Sequence, residues 1–178
     1  NELKEFKLPI IEDASHAFGG VLNDKKVGNL ADIAGFSAGP IKGFGGLGHA
    51  GFITYNQDEQ KEFIEAFIGN GQTKRHYAKY VGNNYRIDSV NALFMQKKLD
   101  MWQDFSNQKR KVMDIYDKVF DAEDVSYQKR ADGSKSTLWV YVIQVSEKIR
   151  DKVREKLLED YNINTIVQYN YTIDQLPI

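Results

Sequence analysis

Residues 36–48 read Phe36-Ser37-Ala38-Gly39-Pro40-Ile41-Lys42-Gly43-Phe44-Gly45-Gly46-Leu47-Gly48, so that one lysine stands alone in a run rich in glycine. A lysine amine attacks a carbonyl only when it is deprotonated and unobstructed, and a tight glycine loop without carboxylates suits that task. Lys42 is therefore a candidate for forming a Schiff base. On local composition alone, the commoner alternative of a solvated surface charge is favoured.

The composition is that of an ordinary globular chain. Its 178 residues, 42% hydrophobic and 28% charged, are enough for one or two compact units with a core. A formal net charge of -1 without a basic block argues against a nucleic-acid partner. The absence of cysteine excludes a disulfide framework, a thiolate nucleophile and a Cys-based metal site, and it fits a reducing cytoplasm.

Membranes and metals are also disfavoured as partners. No apolar run approaches the roughly 20 residues that span a bilayer, and the three histidines lack the spacing of a metal motif. We therefore expect a cytoplasmic protein without a metal site. The chain begins at Asn1 without an initiator methionine, which is the pattern expected of a fragment.

Short apolar segments in the first third predict an α/β sheet. Leu8–Ile11, followed by Glu12-Asp13, is typical of a buried parallel strand, and residues 33–37 and 50–55 are similar segments bounded by glycine. In open α/β sheets, ligands bind outside the carboxyl ends of strands. Three polar residues fall where such a site is expected: Asp13, Ser37 and Lys42.

Helical patterns follow. Residues 58–68 alternate as a helix that ends at the turn signals Gly69-Asn70-Gly71, and Asp88 can cap a long helix that starts near Ser89. We expect this long helix to link two domains. The boundaries are 1–95 for the part of the larger domain present here and 96–178 for the helix and a smaller, incomplete domain.

The C-terminal third predicts a β-α-β unit. Beyond the Asp132-Gly133 turn signal, residues 138–145 are apolar, β-branched and aromatic as in a strand. A helix with Ile149, Val153 and Leu157 at spacing four follows, and residues 163–167 predict a second strand. The fold class is therefore α/β, half of a larger α/β domain followed by a smaller α+β domain.

The same residues resemble a known family. The chain contains, in this order, the segments Ile11-Glu12-Asp13-Ala14-Ser15-His16-Ala17, Val27-Gly28, Asp32-Ile33, Phe36-Ser37, Lys42, Gly48, Gly51, Asn70-Gly71-Gln72 and Gly82-Asn83-Asn84-Tyr85-Arg86-Ile87-Asp88. In order and spacing they resemble the PLP-dependent nucleotide-sugar aminotransferases of the DegT and StrS kind. The resemblance implies fold type I, in which the large domain has a mixed sheet flanked by helices and is followed by a smaller α+β domain. The resemblance keeps register to about Phe120 and is looser beyond it.

The resemblance implies a pyridoxal 5'-phosphate (PLP) site with five residues. Asp13 is similar to the carboxylate that keeps the pyridine nitrogen protonated. His16 resembles the position beside the ring and its phenolic oxygen, and Ser37 resembles the phosphate-binding serine. Lys42 would hold the cofactor aldehyde and then shuttle a proton. Asn84 is similar to an asparagine that reaches the phosphate of the neighbouring subunit, which implies a homodimer.

The implied activity is a ping-pong transamination. An amino acid, usually glutamate, donates nitrogen that passes to a keto group of a nucleotide-linked sugar, for cell-surface polysaccharides or secondary metabolites. Lys74–His76 could meet a sugar diphosphate. Gly43 and His49 depart from the family, which often has an asparagine and an acidic residue there. Since the N-terminal half supplies further cofactor contacts in the family, we expect weak cofactor binding and little activity from these 178 residues alone.

Other interpretations stay open. Asp13, Ser37 and Asn84 also fit turn positions, and His16 fits a structural histidine. A related branch performs sugar dehydration with a histidine in place of the lysine, so Lys42 favours amino transfer. A non-catalytic protein with an interaction or regulatory role is the other alternative.

Overall fold

A computed structural model of the chain describes residues 2–123 and 125–177. The strands are β1 (Ile11–Asp13), β2 (Val21–Leu22), β3 (Lys25–Lys26), β4 (Ile33–Ser37), β5 (Gly51–Tyr55), β6 (Gln72–Lys74), β7 (Tyr77–Ala78) and β8 (Ser134–Lys135). The α-helices are α1 (Glu59–Ile68), α2 (Ser89–Asp100), α3 (Trp102–Ala122) and α4 (Glu147–Tyr161). Two 3₁₀ turns, Glu2–Phe6 and Ile173–Gln175, lie near the ends. No helix in these described ranges has the length and apolar character needed to cross a bilayer.

A mixed three-stranded sheet in the order β1-β4-β5 carries the loops of the candidate site. Strand β1 is parallel to β4, and β4 is antiparallel to β5. Because β1 and β4 are parallel, their carboxyl ends lie at the same edge of the sheet. Asp13 and Ser37, the last residues of these strands, therefore both lie at that edge, as the sequence predicts. The predicted burial of the first strand is wrong, since Ile11 is 75% exposed on what is an edge strand among the described residues.

Aromatic side chains form the core beneath this edge. Phe36 and Phe52 stack with ring centroids 4.6 Å apart, and Phe18 stacks on Phe44 at 4.1 Å. Trp102 of α3 closes the cluster with its ring centroid 4.9 Å from that of Phe18. Phe36 and Phe44 are each only 6% exposed, and full burial of a side chain of this size contributes about 1.5–3 kcal/mol to folding. The cluster therefore makes a firm base for the loop that carries Lys42.

The predicted helices form, with one correction. The Asp88 carboxylate accepts a hydrogen bond from Asn91 N at 2.8 Å, which confirms the predicted cap of α2. The predicted single long helix is wrong, because Met101 separates α2 from α3. The amide of Met101 donates to Lys98 O, a bond three residues back that tightens the turn and ends α2.

The predicted β-α-β unit is wrong, although its helix α4 is present. Residues 138–145 and 163–167 contain no regular strand. Leu138 has a left-handed φ of 45°, which interrupts an extended run, and beyond it only an isolated bridge joins Ile143 to Tyr127. Apolar alternation is present, but a strand also needs a continuous ladder of backbone partners.

Residues 134–139, called the C-terminal segment below, contact the first third of the chain directly. Strand β8 pairs antiparallel with β2. Thr137 Oγ1 donates to Phe18 O at 2.7 Å, and Trp139 Nε1 donates to Ile41 O at 3.0 Å. Arg110 Nε of α3 donates to Ser136 O at 3.3 Å and holds the segment from its other side. The division into 1–95 and 96–178 stays a prediction. These contacts bring residues of the second range to the edge where Lys42 lies.

Candidate active site around Lys42

Lys42 lies on a compact loop that joins β4 to β5. Ala38 N donates to Ala50 O at 2.8 Å and closes the base of the loop. Gly46 N donates to Ala38 O at 2.9 Å, and Lys42 N donates to Gly39 O at 2.9 Å. The last bond closes a turn with Lys42 as its fourth residue. The backbone around the lysine is thus fixed by hydrogen bonds.

Two glycines of the loop are required by close approach. A Cβ on Gly45 would overlap Gly39 O and lie 2.8 Å from Pro40 O. A Cβ on Gly46 would overlap Asn91 Oδ1. The glycine-rich sequence therefore allows the loop to fold tightly on itself and against α2.

Helix α2 anchors the loop with two side chains that the sequence interpretation missed. Asn91 is only 3% exposed and accepts a hydrogen bond from Leu47 N at 2.9 Å. Lys98 Nζ donates to Gly45 O at 2.9 Å, and burial lowers the pKa of this lysine. Asn91 and Lys98 are seven residues apart, so they share a helix face, and that spacing was the available signal.

The Lys42 amine contacts the His16 imidazole. Lys42 Nζ lies 2.5 Å from His16 Nε2. Burial and the charge of Lys42 lower the pKa of His16, with Asp13 opposing them. A neutral ring can accept a hydrogen bond from the ammonium through Nε2. No carboxylate within the described residues forms an ion pair with Lys42. The lysine is thus held by a neutral group rather than by an acid.

Asp13 carries the negative charge of this edge. Its Oδ1 accepts hydrogen bonds from Ser15 Oγ at 2.5 Å and from Ser15 N at 3.0 Å. These bonds lower the pKa of Asp13 against a smaller opposing effect of burial, and the charge of Lys42 lowers it further. The carboxylate therefore stays ionised at neutral pH beside the lysine and histidine.

Ser37 and His49 approach the loop from the sheet. The half-buried Ser37 ends β4 and lines the same small pocket as Lys42 and His16. A Cβ on Gly39 would lie 3.6 Å from His49 Nδ1 and 4.0 Å from Ser37 Oγ, so these two side chains flank Gly39. His49 is exposed, and its place beside Gly39 was not predicted.

Trp139 completes the site from the C-terminal segment. Its indole stacks on His16 with ring centroids 3.9 Å apart and planes inclined by 16°. Its Nε1 donates to Ile41 O at 3.0 Å. Lys42 Nζ lies 4.9 Å from the centroid of the indole. The sequence interpretation missed Trp139 because it assigned residues 138–145 to a strand far along the chain.

The remaining candidates lie elsewhere. Asn84 is exposed and forms an isolated bridge with Gly69 at the end of α1. Lys74, Arg75 and His76 are exposed in the hairpin of β6 and β7. In the described ranges, no hydrogen bond joins these residues to the Lys42 loop.

A cavity of about 380 Å³ opens beside the stacked rings of His16 and Trp139. Most of its other lining comes from residues 128–142, and the polar members are Gln128, Lys129, Arg130, Ser134, Ser136 and Tyr141. Arg130 is paired with Asp117, and Lys129 with Asp121, so the positive charges are already balanced. The volume falls in the range of small-molecule sites.

Comparison with known proteins identifies the relatives of this chain. A model of the DegT/DnrJ/EryC1/StrS aminotransferase family matches residues 3–178. The dTDP-3-amino-3,6-dideoxy-alpha-D-galactopyranose transaminase of Aneurinibacillus thermoaerophilus is 31% identical over 167 residues, covering 93% of this chain and 45% of that protein. A protein of Geobacillus stearothermophilus named a pleiotropic regulatory protein is 29% identical over 178 residues, covering 98% of this chain and 47% of that protein.

Solved structures share the fold. A DegT DnrJ EryC1 StrS aminotransferase from Brucella abortus matches with a TM-score of 0.89 at 20% identity, covering 98% of this chain and 46% of that one. The PLP form of Spr1654 from Streptococcus pneumoniae matches with a TM-score of 0.79 at 18% identity, covering 95% of this chain and 46% of that one. The chain thus spans about half the length of the relatives it matches.

Proposed function

Because the chain belongs to the DegT/DnrJ/EryC1/StrS aminotransferase family, we propose that it carries the lysine side of the PLP site of a nucleotide-sugar aminotransferase. The observation that supports this proposal most directly is the contact of 2.5 Å between Lys42 Nζ and His16 Nε2, in a pocket that Ser37 also lines. When bound, PLP supplies an electron sink and carries the amino group between substrates. The family relatives named as transaminases support this general kind of activity.

The residues at this edge have the chemistry that PLP requires. Asp13, with its lowered pKa, offers a carboxylate that would pair with a protonated pyridine nitrogen. Ser37 Oγ would donate a hydrogen bond to the phosphate. Lys42 Nζ would hold the aldehyde and, once released, move a proton, while His16 orients that amine. The set therefore fits the cofactor.

The cavity beside His16 and Trp139 is where we place the substrates. Its volume of about 380 Å³ accommodates a sugar ring or an amino acid beside His16, the residue that Lys42 contacts. The hydroxyls and amide of its lining can hydrogen-bond a sugar. In this proposal glutamate is the amino donor, and the acceptor is a keto group of a nucleotide-linked sugar.

A homodimer with shared sites is the proposed assembly. Asn84 is exposed and lies outside the Lys42 pocket, which leaves its side chain available to a second subunit's phosphate site. The exposed cations of Lys74–His76 are placed at the sugar diphosphate in the same proposal. We place the assembly in the cytoplasm.

One relative favours a second candidate function. The Geobacillus stearothermophilus protein, matched over 98% of this chain, is named for regulation and not for catalysis. A regulatory protein could keep the scaffold without turnover. Cofactor binding by Lys42 separates the two candidates.

A titration with PLP followed by visible absorbance tests the proposed function. We expect wild-type protein to develop an absorbance band, Lys42→Ala to lose it, and Lys152→Ala, a control at an exposed lysine of α4, to keep it. Addition of L-glutamate should then change the wild-type band slowly, as expected for transfer of an amino group by a chain with weak cofactor binding and little activity. Equal spectra for wild type and Lys42→Ala would contradict the aminotransferase proposal and favour the regulatory one.

A further inference from the structure

The C-terminal segment reaches the site through two hydrogen bonds. Thr137, only 6% exposed, donates its hydroxyl to Phe18 O at 2.7 Å, two residues after His16. Trp139 Nε1 donates to Ile41 O at 3.0 Å, one residue before Lys42. The two bonds hold Trp139 between the loop that follows β1 and the loop that follows β4.

Three side chains meet at this point. The indole of Trp139 lies nearly parallel to the His16 ring at 3.9 Å, the spacing of a full stack. Lys42 Nζ contacts His16 Nε2 at 2.5 Å and lies 4.9 Å from the indole centroid, within reach of a cation–π interaction. Each group therefore constrains the other two.

We propose that Trp139 is a positioning residue for Lys42: its indole fixes the plane of the His16 imidazole, so that Nε2 faces the lysine amine. The link to PLP chemistry rests on the function proposed above. Stacking blocks one face of the imidazole and opposes its rotation about χ2. With Nε2 accepting from the Lys42 ammonium, the proton of the neutral ring resides on Nδ1. The charged groups that face this ring are Lys42 and Asp13.

Substitutions separate the stack from the hydrogen bond. Trp139→Phe keeps an aromatic ring against His16 but removes the donor to Ile41 O. Trp139→Leu removes both. Phe120→Leu is the matched control, because Phe120 belongs to an aromatic cluster with Tyr127 and Tyr141 that does not include His16. Circular dichroism and the midpoint of thermal unfolding establish that each variant is folded.

The first measurement is ¹⁵N NMR of the histidine rings without cofactor, with His16 assigned by the loss of its signals in His16→Gln. We expect wild type and Phe120→Leu to show a protonated Nδ1 and an unprotonated Nε2 at neutral pH. Trp139→Phe should stay close to wild type, and Trp139→Leu should shift to a mixture of tautomers. Wild-type nitrogen shifts in folded Trp139→Leu would overturn the proposal.

The second measurement is the rate at which borohydride reduction attaches PLP irreversibly to Lys42. A stack contributes about 0.5–1.5 kcal/mol, so we expect this rate to fall about two- to tenfold in Trp139→Leu. An unchanged rate would overturn the positioning role. If wild type fixes no PLP while Trp139→Leu changes the His16 tautomer, the proposed function fails but the placement of His16 by Trp139 stands.

Discussion

The contact between Gly46 and Asn91 offers a sharp test of how the Lys42 loop is held. A Cβ added at Gly46 would overlap Asn91 Oδ1 and lie 3.0 Å from Asn91 Cγ and 3.2 Å from Asn91 Nδ2. All three of its nearest neighbours thus belong to one side chain. Gly46 does not have a positive φ, so alanine is compatible with the backbone. The cost of Gly46→Ala should therefore come mainly from Asn91.

The magnitudes follow from these contacts. We expect Gly46→Ala to lower the free energy of unfolding by about 1–3 kcal/mol through overpacking. Asn91→Ala should cost about 1–3 kcal/mol, because the nearly buried amide no longer accepts from Leu47 N. In the double variant the overlap is gone, and an alanine at position 46 instead stabilises by about 0.4–1 kcal/mol through the unfolded chain. The two costs should therefore not add.

Urea unfolding of the four proteins, followed by far-UV circular dichroism, measures this coupling. We expect the double variant to be about 1.4–4 kcal/mol more stable than the sum of the single effects requires, because the overlap cost is removed and the alanine at position 46 stabilises through the unfolded chain. Gly20→Ala serves as the control for a crowded glycine that does not contact Asn91, because its close neighbours are Ala17 and Val27. Costs of Gly46→Ala and Asn91→Ala that add to within about 0.5 kcal/mol would refute the contact.

Three further predictions concern single contacts. Thr137→Val should lower the free energy of unfolding by about 1–2 kcal/mol in urea titrations, because Phe18 O loses its donor; an unchanged midpoint would show that the bond is dispensable. Asp88→Ala should cost about 1 kcal/mol in the same assay by removing the cap of α2, whereas Asp88→Asn should cost less. Ser15→Ala should raise the pKa of Asp13 in a ¹³C NMR titration of the carboxyl group. Since the pKa of Asp13 is lowered in the folded chain, its ionised carboxylate stabilises the fold at pH values above its pKa in the unfolded chain. This contribution is lost as pH falls through its pKa in the folded chain. Ser15→Ala should therefore reduce the loss of free energy of unfolding that accompanies acidification.

The parts of the site that depend on local sequence could be predicted. Glycine spacing around Lys42 and apolar segments ending at Asp13 and Ser37 depend on backbone preferences within a few residues. These signals gave the strand ends and the loop, and parallel pairing of β1 with β4 then brings the carboxyl ends to one edge.

The parts of the site that depend on contacts between residues far apart in the sequence could not be predicted. Trp139 lies 98 residues from its partner Ile41, and Asn91 lies 44 residues from Leu47. No local pattern marks either contact, because a tryptophan in an apolar run or an asparagine in a helix fits many environments. The C-terminal strands were overpredicted for the same reason, since apolar alternation does not specify whether a ladder partner is in place.

Peptide mapping after borohydride treatment tests most directly whether Lys42 is the residue that holds PLP. The protein is incubated with PLP, reduced, digested, and analysed by mass spectrometry, with Lys152→Ala as the exposed control and Lys42→Ala as the negative one. We predict that the pyridoxyl label concentrates on the peptide that contains Lys42 and that Asp13→Asn reduces its yield. Label spread over surface lysines, with none enriched at Lys42, would contradict the account.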